Sequence, residues 1–319
     1  MSAHSGFPSV LPSHEQVVCS LYEGHYHYGL AATINSLVNT GFSGLFWVGF
    51  RGELPPWIGQ LKRGADGIYE VGKARLVFET ITVGRHFGQY KPEFFSSLID
   101  RGIATRYLWY TDPDATFRCE WSFFERWVRY GVCLIQDMMN IMPPRHPFRC
   151  EWMELARNDG WGEPVHQHEY YYASGFMAMD IADREFLERW KGAVRLANGN
   201  GVKPGDFQKR RRPQLFARVD QDAMNIATMY AAVPFSTMGP EAMGFVPGGF
   251  ATHHAYGILK PWRKNFLAEA LRGAPPSQAD KDFFRCAGGP IQPYSRARLK
   301  WLRTTVAAAA LVGRFYSRN

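Results

Sequence analysis

The sequence has no acidic residue after Asp282, while Arg285, Arg296, Arg298, Lys300, Arg303, Arg314 and Arg318 all follow it. The end of the chain is therefore uniformly basic, a pattern that suits an anionic surface. No run of eighteen apolar residues occurs, so no membrane-spanning helix is expected. Residues 1–12 lack a basic start and an apolar stretch, so no secretory signal is expected there. The five cysteines, Cys19, Cys119, Cys133, Cys150 and Cys286, are odd in number and never spaced C-x-x-C. A disulfide framework and a zinc knuckle are both unexpected, and a reducing cytoplasm is the expected setting. The chain also lacks G-x-G-x-x-G after its first apolar segment and has no phosphate-loop signature. A bound nucleotide diphosphate would have to be neutralised by a metal ion and side chains instead.

What is present reads as a large folded unit. The chain has 319 residues, 46% hydrophobic and 21% charged, with a net charge of +8. This is an ordinary globular composition. Strands are expected at residues 16–21, 45–48, 74–82, 106–110, 132–135, 174–179 and 250–253. Helices are expected at 26–39, 92–100, 123–130, 147–160, 183–196 and 223–230, with a loop at 53–57. Leu30, Ile34, Leu37 and Val38 recur at helical spacing, as do Trp121, Phe124 and Trp127, which read as core. Ser122 and Glu125 have the spacing of a capping box. Alternating strands and helices predict a mostly parallel sheet covered by helices, with ligands bound beyond the carboxyl ends of the strands. Residues 13–275 are expected to form the catalytic domain and 276–319 a basic tail with a helix near 294–316.

Three clusters carry chemistry. Thr111-Asp112-Pro113-Asp114 follows the apolar run Tyr107-Leu108-Trp109-Tyr110. Carboxylates at i and i+2 of an extended segment point the same way and can share one hard cation. The same tetrapeptide is also good turn chemistry. His254 is followed by Gly257, Lys260, Pro261 and Trp262. Lysine is a point-charge partner for phosphate, and glycine allows close backbone approach. An imidazole beside two carboxylates suits manganese better than calcium. Asp220-Gln221-Asp222, with Asn225 nearby, sits at a helix start, where it reads equally as capping or as contact with a sugar and its reacting carbon.

With these residues in order, the chain resembles family 8 of the retaining glycosyltransferases, the glycogenin and lipooligosaccharide galactosyltransferase group. That family carries D-x-D after a strand containing Y-L, then D-Q-D with a nearby asparagine, then H-x-x-G-x-x-K-P-W. The resemblance spans residues 17–262 and implies the glycosyltransferase A fold, a single mixed α/β sheet flanked by helices. It implies a UDP-sugar donor and Mn2+ or Mg2+, with Mn2+ favoured, held by Asp112, Asp114 and His254. It places Gly257 and Lys260 at the diphosphate, Gln221 under the anomeric carbon and Asp220 on the donor-sugar hydroxyls. Tyr22 and Tyr26, after the first strand, fall where such enzymes hold the nucleobase and ribose. The sequence departs from the family at Ala173-Ser174-Gly175, where N-[AS]-G is usual, and in the first-strand loop, which lacks an acidic pair.

The implied reaction is transfer of a hexose from the donor to an acceptor hydroxyl of a glycan, a lipid-linked glycan or a small molecule. A nucleotide-sugar hydrolase, a nucleotidyltransferase and a noncatalytic sugar-nucleotide-binding relative are the alternatives. The basic tail is a candidate for peripheral contact with a membrane. No nucleic-acid recognition module is present, and no nucleic-acid partner is expected. His146, His166 and His168 read as surface or acceptor-cleft residues, and Lys209-Arg210-Arg211-Arg212 reads as a solvated charge run.

Overall fold

The computed structural model describes residues 11–138, 141–206 and 215–315. The run at 209–212 therefore lies outside the described residues. In chain order the elements are β1 (His14–Glu23), α1 (His27–Asn39), β2 (Leu45–Arg51), β3 (Lys62–Arg63), β4 (Tyr69–Val71) and β5 (Ala74–Thr80). They continue with α2 (Phe87–Asp100), β6 (Ala104–Thr111), β7 (Ala115–Phe117), α3 (Trp121–Trp127), β8 (Val132–Gln136), α4 (Pro147–Asn158) and β9 (Tyr172–Asp180). The remainder are α5 (Glu185–Gly199), α6 (Val219–Tyr230), β10 (Phe235–Met238), β11 (Thr252–His254), α7 (Phe266–Leu271), α8 (Gln278–Cys286) and α9 (Arg296–Val312).

Among the described residues nine strands form one sheet in the order β10-β8-β9-β6-β1-β2-β5-β4-β3. The pairs β6-β1, β1-β2, β2-β5 and β10-β8 are parallel, and β9 is antiparallel to both its neighbours. The sheet is thus mixed, as expected. Its central strands alternate between two cores. Val17, Cys19, Leu108 and Tyr110 face a cluster that includes residues of α2, α5 and α6. Val18, Tyr22 and Trp109 face one that includes residues of α1 and α3. This period of two across a sheet buried on both faces makes its strands read as continuous apolar runs. Trp121, Phe124 and Trp127 are buried there, as the spacing predicted.

Several boundaries differ from the sequence reading. Helix α2 begins at Phe87 rather than Pro92 because the His86 side chain caps it, accepting from the Gly88 N–H at 3.0 Å. Pro92 then sits inside the helix and leaves the Gly88 carbonyl without its helical partner. The Ser122–Glu125 capping box does not form: the helix starts at Trp121, two residues earlier than expected, and Glu125 instead accepts from Gln16 Nε2 at 2.6 Å. Asp183 lies in a short helical turn, and α5 follows it without a side-chain cap. Helix α6 starts at Val219, so Asp220, Gln221 and Asp222 lie in its first turn. The C-terminal helix α9 packs through Leu299, Val306 and Ala309 into a cluster with Phe266, Phe283, Phe284 and Ala32 of α1.

Asn225 pins α6 to the sheet. Its Oδ1 accepts from the Tyr172 N–H and its Nδ2 donates to the Tyr172 carbonyl, both at 2.8 Å. Stripping this fully buried residue of its amide leaves two strand groups unpaired, at about 1–3 kcal/mol each. Asn225→Ala should therefore lower the unfolding free energy by about 2–4 kcal/mol in urea titrations. A change below about 0.5 kcal/mol, typical of a surface substitution, would remove Asn225 from this role.

Candidate functional site

The central strand β6 ends at Thr111, and the chain leaves the sheet there. Asp112 N–H donates to the Gly175 carbonyl of neighbouring β9 at 2.8 Å. A turn closes when the Ala115 N–H meets the Asp112 carbonyl at 3.2 Å. The carboxylate pair therefore sits in a turn, not an extended segment, and the turn and ligand readings hold together. Strand β7 follows and pairs antiparallel with β11, matching Ala115 with His254. This short ribbon brings His254 to the carboxylates. One ligand atom each of Asp112, Asp114 and His254 lies within 4.8 Å of the others. His254 Nε2 is 3.1 Å from Asp114 Oδ1 and 3.6 Å from Asp112 Oδ2.

The donor set and its surroundings fit a divalent cation. Two carboxylates and an imidazole are transition-metal ligands. His254 Nδ1 is buried, with no hydrogen-bond partner among the described residues. A Cβ on Gly175 would come within 3.0 Å of both Asp112 Oδ2 and His254 Cε1, so glycine leaves the group its space. Electrostatics keep Asp114 ionised. Burial opposes the charge on Asp114, but Lys260 and His254 outweigh it and hold its carboxyl well below the usual range. Lys260 Nζ reaches Asp114 Oδ2 and also donates to the Ala255 carbonyl at 2.9 Å.

Lys91, from α2, brings a buried cation to the site. Its Nζ is 3.2 Å from both Asp112 Oδ1 and Asp220 Oδ2, and it donates to the Ser174 carbonyl at 2.9 Å. Asp220 also accepts from Ser174 Oγ at 2.8 Å. Burial works against its ionisation, yet Lys91 and Ser174 together hold it below its ordinary value. Gln221 is fixed on both sides: Nε2 donates to Asp137 Oδ2 at 2.6 Å, and Oε1 accepts from Ser174 N–H at 3.3 Å. Arg218 reaches the same Asp137 oxygen at 2.8 Å.

These groups border one cavity of about 640 Å³. Tyr22, Tyr26, Gly257 and Lys260 line it together with Asp112, Asp114, Asp220, Gln221 and His254, so every predicted site residue meets there. Tyr22 stacks on Phe50 and donates to the Glu53 carbonyl. Tyr26 lies between Lys260, 5.7 Å from its ring centroid, and the edge of Trp262. Gly257 has a φ of +99°, a conformation that favours glycine. Asn225 is not in the cavity wall. Two of the three histidines set aside in the sequence have structural partners: His146 caps α4, and His168 Nε2 lies 3.0 Å from the Thr228 carbonyl.

Sequence reading missed Lys91, Asp137, Ser174 and Arg218. Asp137 was findable, because an acid just past the end of buried strand β8 repeats the signal that marked Asp112. Lys91 was not, because nothing in Tyr90-Lys91-Pro92 separates it from a solvated helical lysine.

No family profile matches the sequence, and no curated protein sequence matches it. Solved structures do. The chain is similar to galactosyltransferase LgtC in complex with donor and acceptor sugar analogues, with a TM-score of 0.52 at 13% identity. The match covers 88% of this chain and 98% of that one. An active-site mutant of LgtC aligns over 90% and 99% of the two chains, with a TM-score of 0.49 at 13% identity. The architecture is thus the glycosyltransferase A fold shared with LgtC.

Asp222 behaves unlike Asp220. Burial raises its carboxyl to about 7, against hydrogen bonds from Tyr171 Oη and the Arg218 N–H. An unfolded aspartate titrates at about 3.9. The folded chain therefore keeps a proton that the unfolded chain loses, and Asp222 withdraws stability as pH rises from about 4 to about 7. The stability of Asp222→Asn relative to the native chain should climb across that window and level off above it. Urea titrations through the window check this; a pH-independent difference would contradict the raised value.

Proposed function

We propose that this chain transfers a hexose from a nucleoside diphosphate sugar, with UDP as the expected nucleotide, to an acceptor hydroxyl. The observation that carries the reading is the convergence of Asp112, Asp114 and His254 beside Lys91, Lys260, Asp220 and Gln221 in one cavity. The shared fold with a galactosyltransferase supports the same class. Asp112, Asp114 and His254 would hold Mn2+ in preference to Mg2+, since the imidazole softens the donor set. When bound, the ion neutralises the diphosphate as charge develops on it, which is electrostatic catalysis.

The chain's own residues do the rest. Lys260 exchanges part of its contact with Asp114 for the diphosphate, and Gly257 lets the following backbone approach it. Tyr22 and Tyr26 border the nucleoside. Asp220, kept ionised by Lys91 and Ser174, accepts from donor-sugar hydroxyls. Gln221, held by Asp137 and Ser174, would present its amide beneath the anomeric carbon. An amide is a poor nucleophile, and Asp220 is committed to an ammonium and a hydroxyl. Attack by the acceptor on the face that the diphosphate leaves, with retention of configuration, is therefore the favoured course.

Peripheral membrane contact belongs to the same reading. Trp301, Leu311 and Phe315 are exposed on or just after α9, among Arg296, Arg298, Lys300, Arg303 and Arg314. Among the described residues no helix is long and apolar enough to cross a membrane. A basic face carrying exposed apolar side chains suits the surface of an anionic bilayer.

Calorimetric titration of UDP with and without Mn2+ tests the donor site. Binding should require the metal, and Asp112→Asn or Asp114→Asn should weaken it by about 10–100-fold. Equal UDP affinity with and without metal would overturn the metal assignment. For the surface, sedimentation with phosphatidylglycerol vesicles should exceed that with phosphatidylcholine vesicles. Charge reversal of Arg298 and Lys300 should abolish the difference; unchanged sedimentation would rule out this face.

A further inference from the structure

We infer that Asp282, on α8, is a positioning residue for the metal-binding triad, because it clamps together the two strands that carry the ligands. The inference rests on the metal reading above. All three ligands hang on the β7–β11 ribbon: Asp112 and Asp114 precede β7, and His254 ends β11. The ribbon has three registered pairs, Thr252 with Phe117, His253 with Thr116 and His254 with Ala115. An isolated two-stranded ribbon is marginal in water even when longer. Something outside it must hold its geometry.

Asp282 reaches both strands. Arg118, directly after β7, donates through one guanidinium nitrogen to both Asp282 oxygens at 2.8 Å. His253 of β11 meets Asp282 Oδ2 through Nδ1 in a short contact. Arg285, one turn along α8, donates to Asp282 Oδ1 at 3.0 Å. The Asp282 side chain is buried, with 3% of its surface exposed. A buried carboxylate satisfied by two guanidinium groups and an imidazole resists displacement, since moving any partner leaves charge uncompensated.

The strand geometry transmits this anchoring to the ligand. Successive side chains on a strand point to opposite faces. His253 faces α8 while His254 faces Asp112 and Asp114. The His253 ring is seated too tightly to shift, since a Cβ on Gly244 or Gly249 would fall 2.3 or 2.5 Å from its atoms. Fixing His253 therefore fixes the direction in which His254 is presented. The segment after residue 275 is then part of the metal site's support.

The test compares three variants by Mn2+ binding, followed by electron paramagnetic resonance of the free ion without nucleotide, alongside thermal melting. Asp282→Asn preserves volume and removes the charge, and should weaken Mn2+ binding about tenfold, the low end for groups that orient metal ligands. Arg118→Gln releases the β7 arm alone, should weaken binding in the same direction, and decides the matter if Asp282→Asn does not fold. Asp280→Asn is the control: this second buried carboxylate of α8 pairs with Lys264 at 2.7 Å and caps its own helix. It should lower the melting temperature and leave Mn2+ affinity unchanged. Native Mn2+ affinity in Asp282→Asn and Arg118→Gln, or an equal loss in Asp280→Asn, would reduce Asp282 to a packing role. Failure of the native protein to bind Mn2+ would instead overturn the metal reading and this inference with it.

Discussion

The site depends on opposite charges held together out of water. Asp112, Asp114 and Asp220 face the ammonium groups of Lys91 and Lys260 at the end of β6. Removing a charge from water costs several kcal/mol unless it is paired and hydrogen-bonded. These groups meet that condition from four separate elements. Lys91 comes from α2, Asp220 from α6, Lys260 from the loop after β11, and the aspartate pair from the turn after β6. The charge cluster therefore fixes where four separate segments end. A loosened helix would leave an uncompensated charge, so packing and site geometry are enforced by the same interactions.

The sheet supplies the platform. Strand β9 runs antiparallel between β6 and β8, which puts Ser174 and Gly175 beside the carboxyl end of β6. Ser174 then serves three partners: its carbonyl accepts from Lys91, its hydroxyl donates to Asp220 and its amide donates to Gln221. Gly175 leaves room at the ligands because it has no side chain. Helix α1 approaches from the other side with equal economy of space. A Cβ on Gly29 would come 2.3 Å from the Pro113 carbonyl and 3.0 Å from the Trp262 ring. The turn carrying the aspartates is thus held between a strand and a helix, each admitting it through a glycine.

Gln221 and its neighbours divide their tasks by environment. Asp220 points to Lys91 and stays ionised, whereas Asp222 is buried against Tyr171 and titrates near neutrality. Asn225, one turn further on, ties the helix to β9. Adjacent side chains on a helix point in different directions, so a dense polar run divides between site, core and sheet.

Much of this was legible in the residues themselves. The aspartate pair after an apolar run, the spacing of His254, Gly257 and Lys260, and the alternation of strands and helices pointed to a mostly parallel sheet and to the residues at the heart of the cavity. These are local signals, set by residue type and by the periods of helix and strand. Tertiary structure decided what local pattern cannot encode. It brought Lys91 from α2 into the charge cluster across sequence separations that no spacing reveals. It turned Asn225 from a candidate sugar contact into a strand anchor, and began α2 at a histidine cap rather than at a proline. It also joined the C-terminal helices to the body of the protein through Asp282. The physical reason is the same in each case. A buried polar group is assigned by whichever partner satisfies it, and that partner comes from another part of the chain.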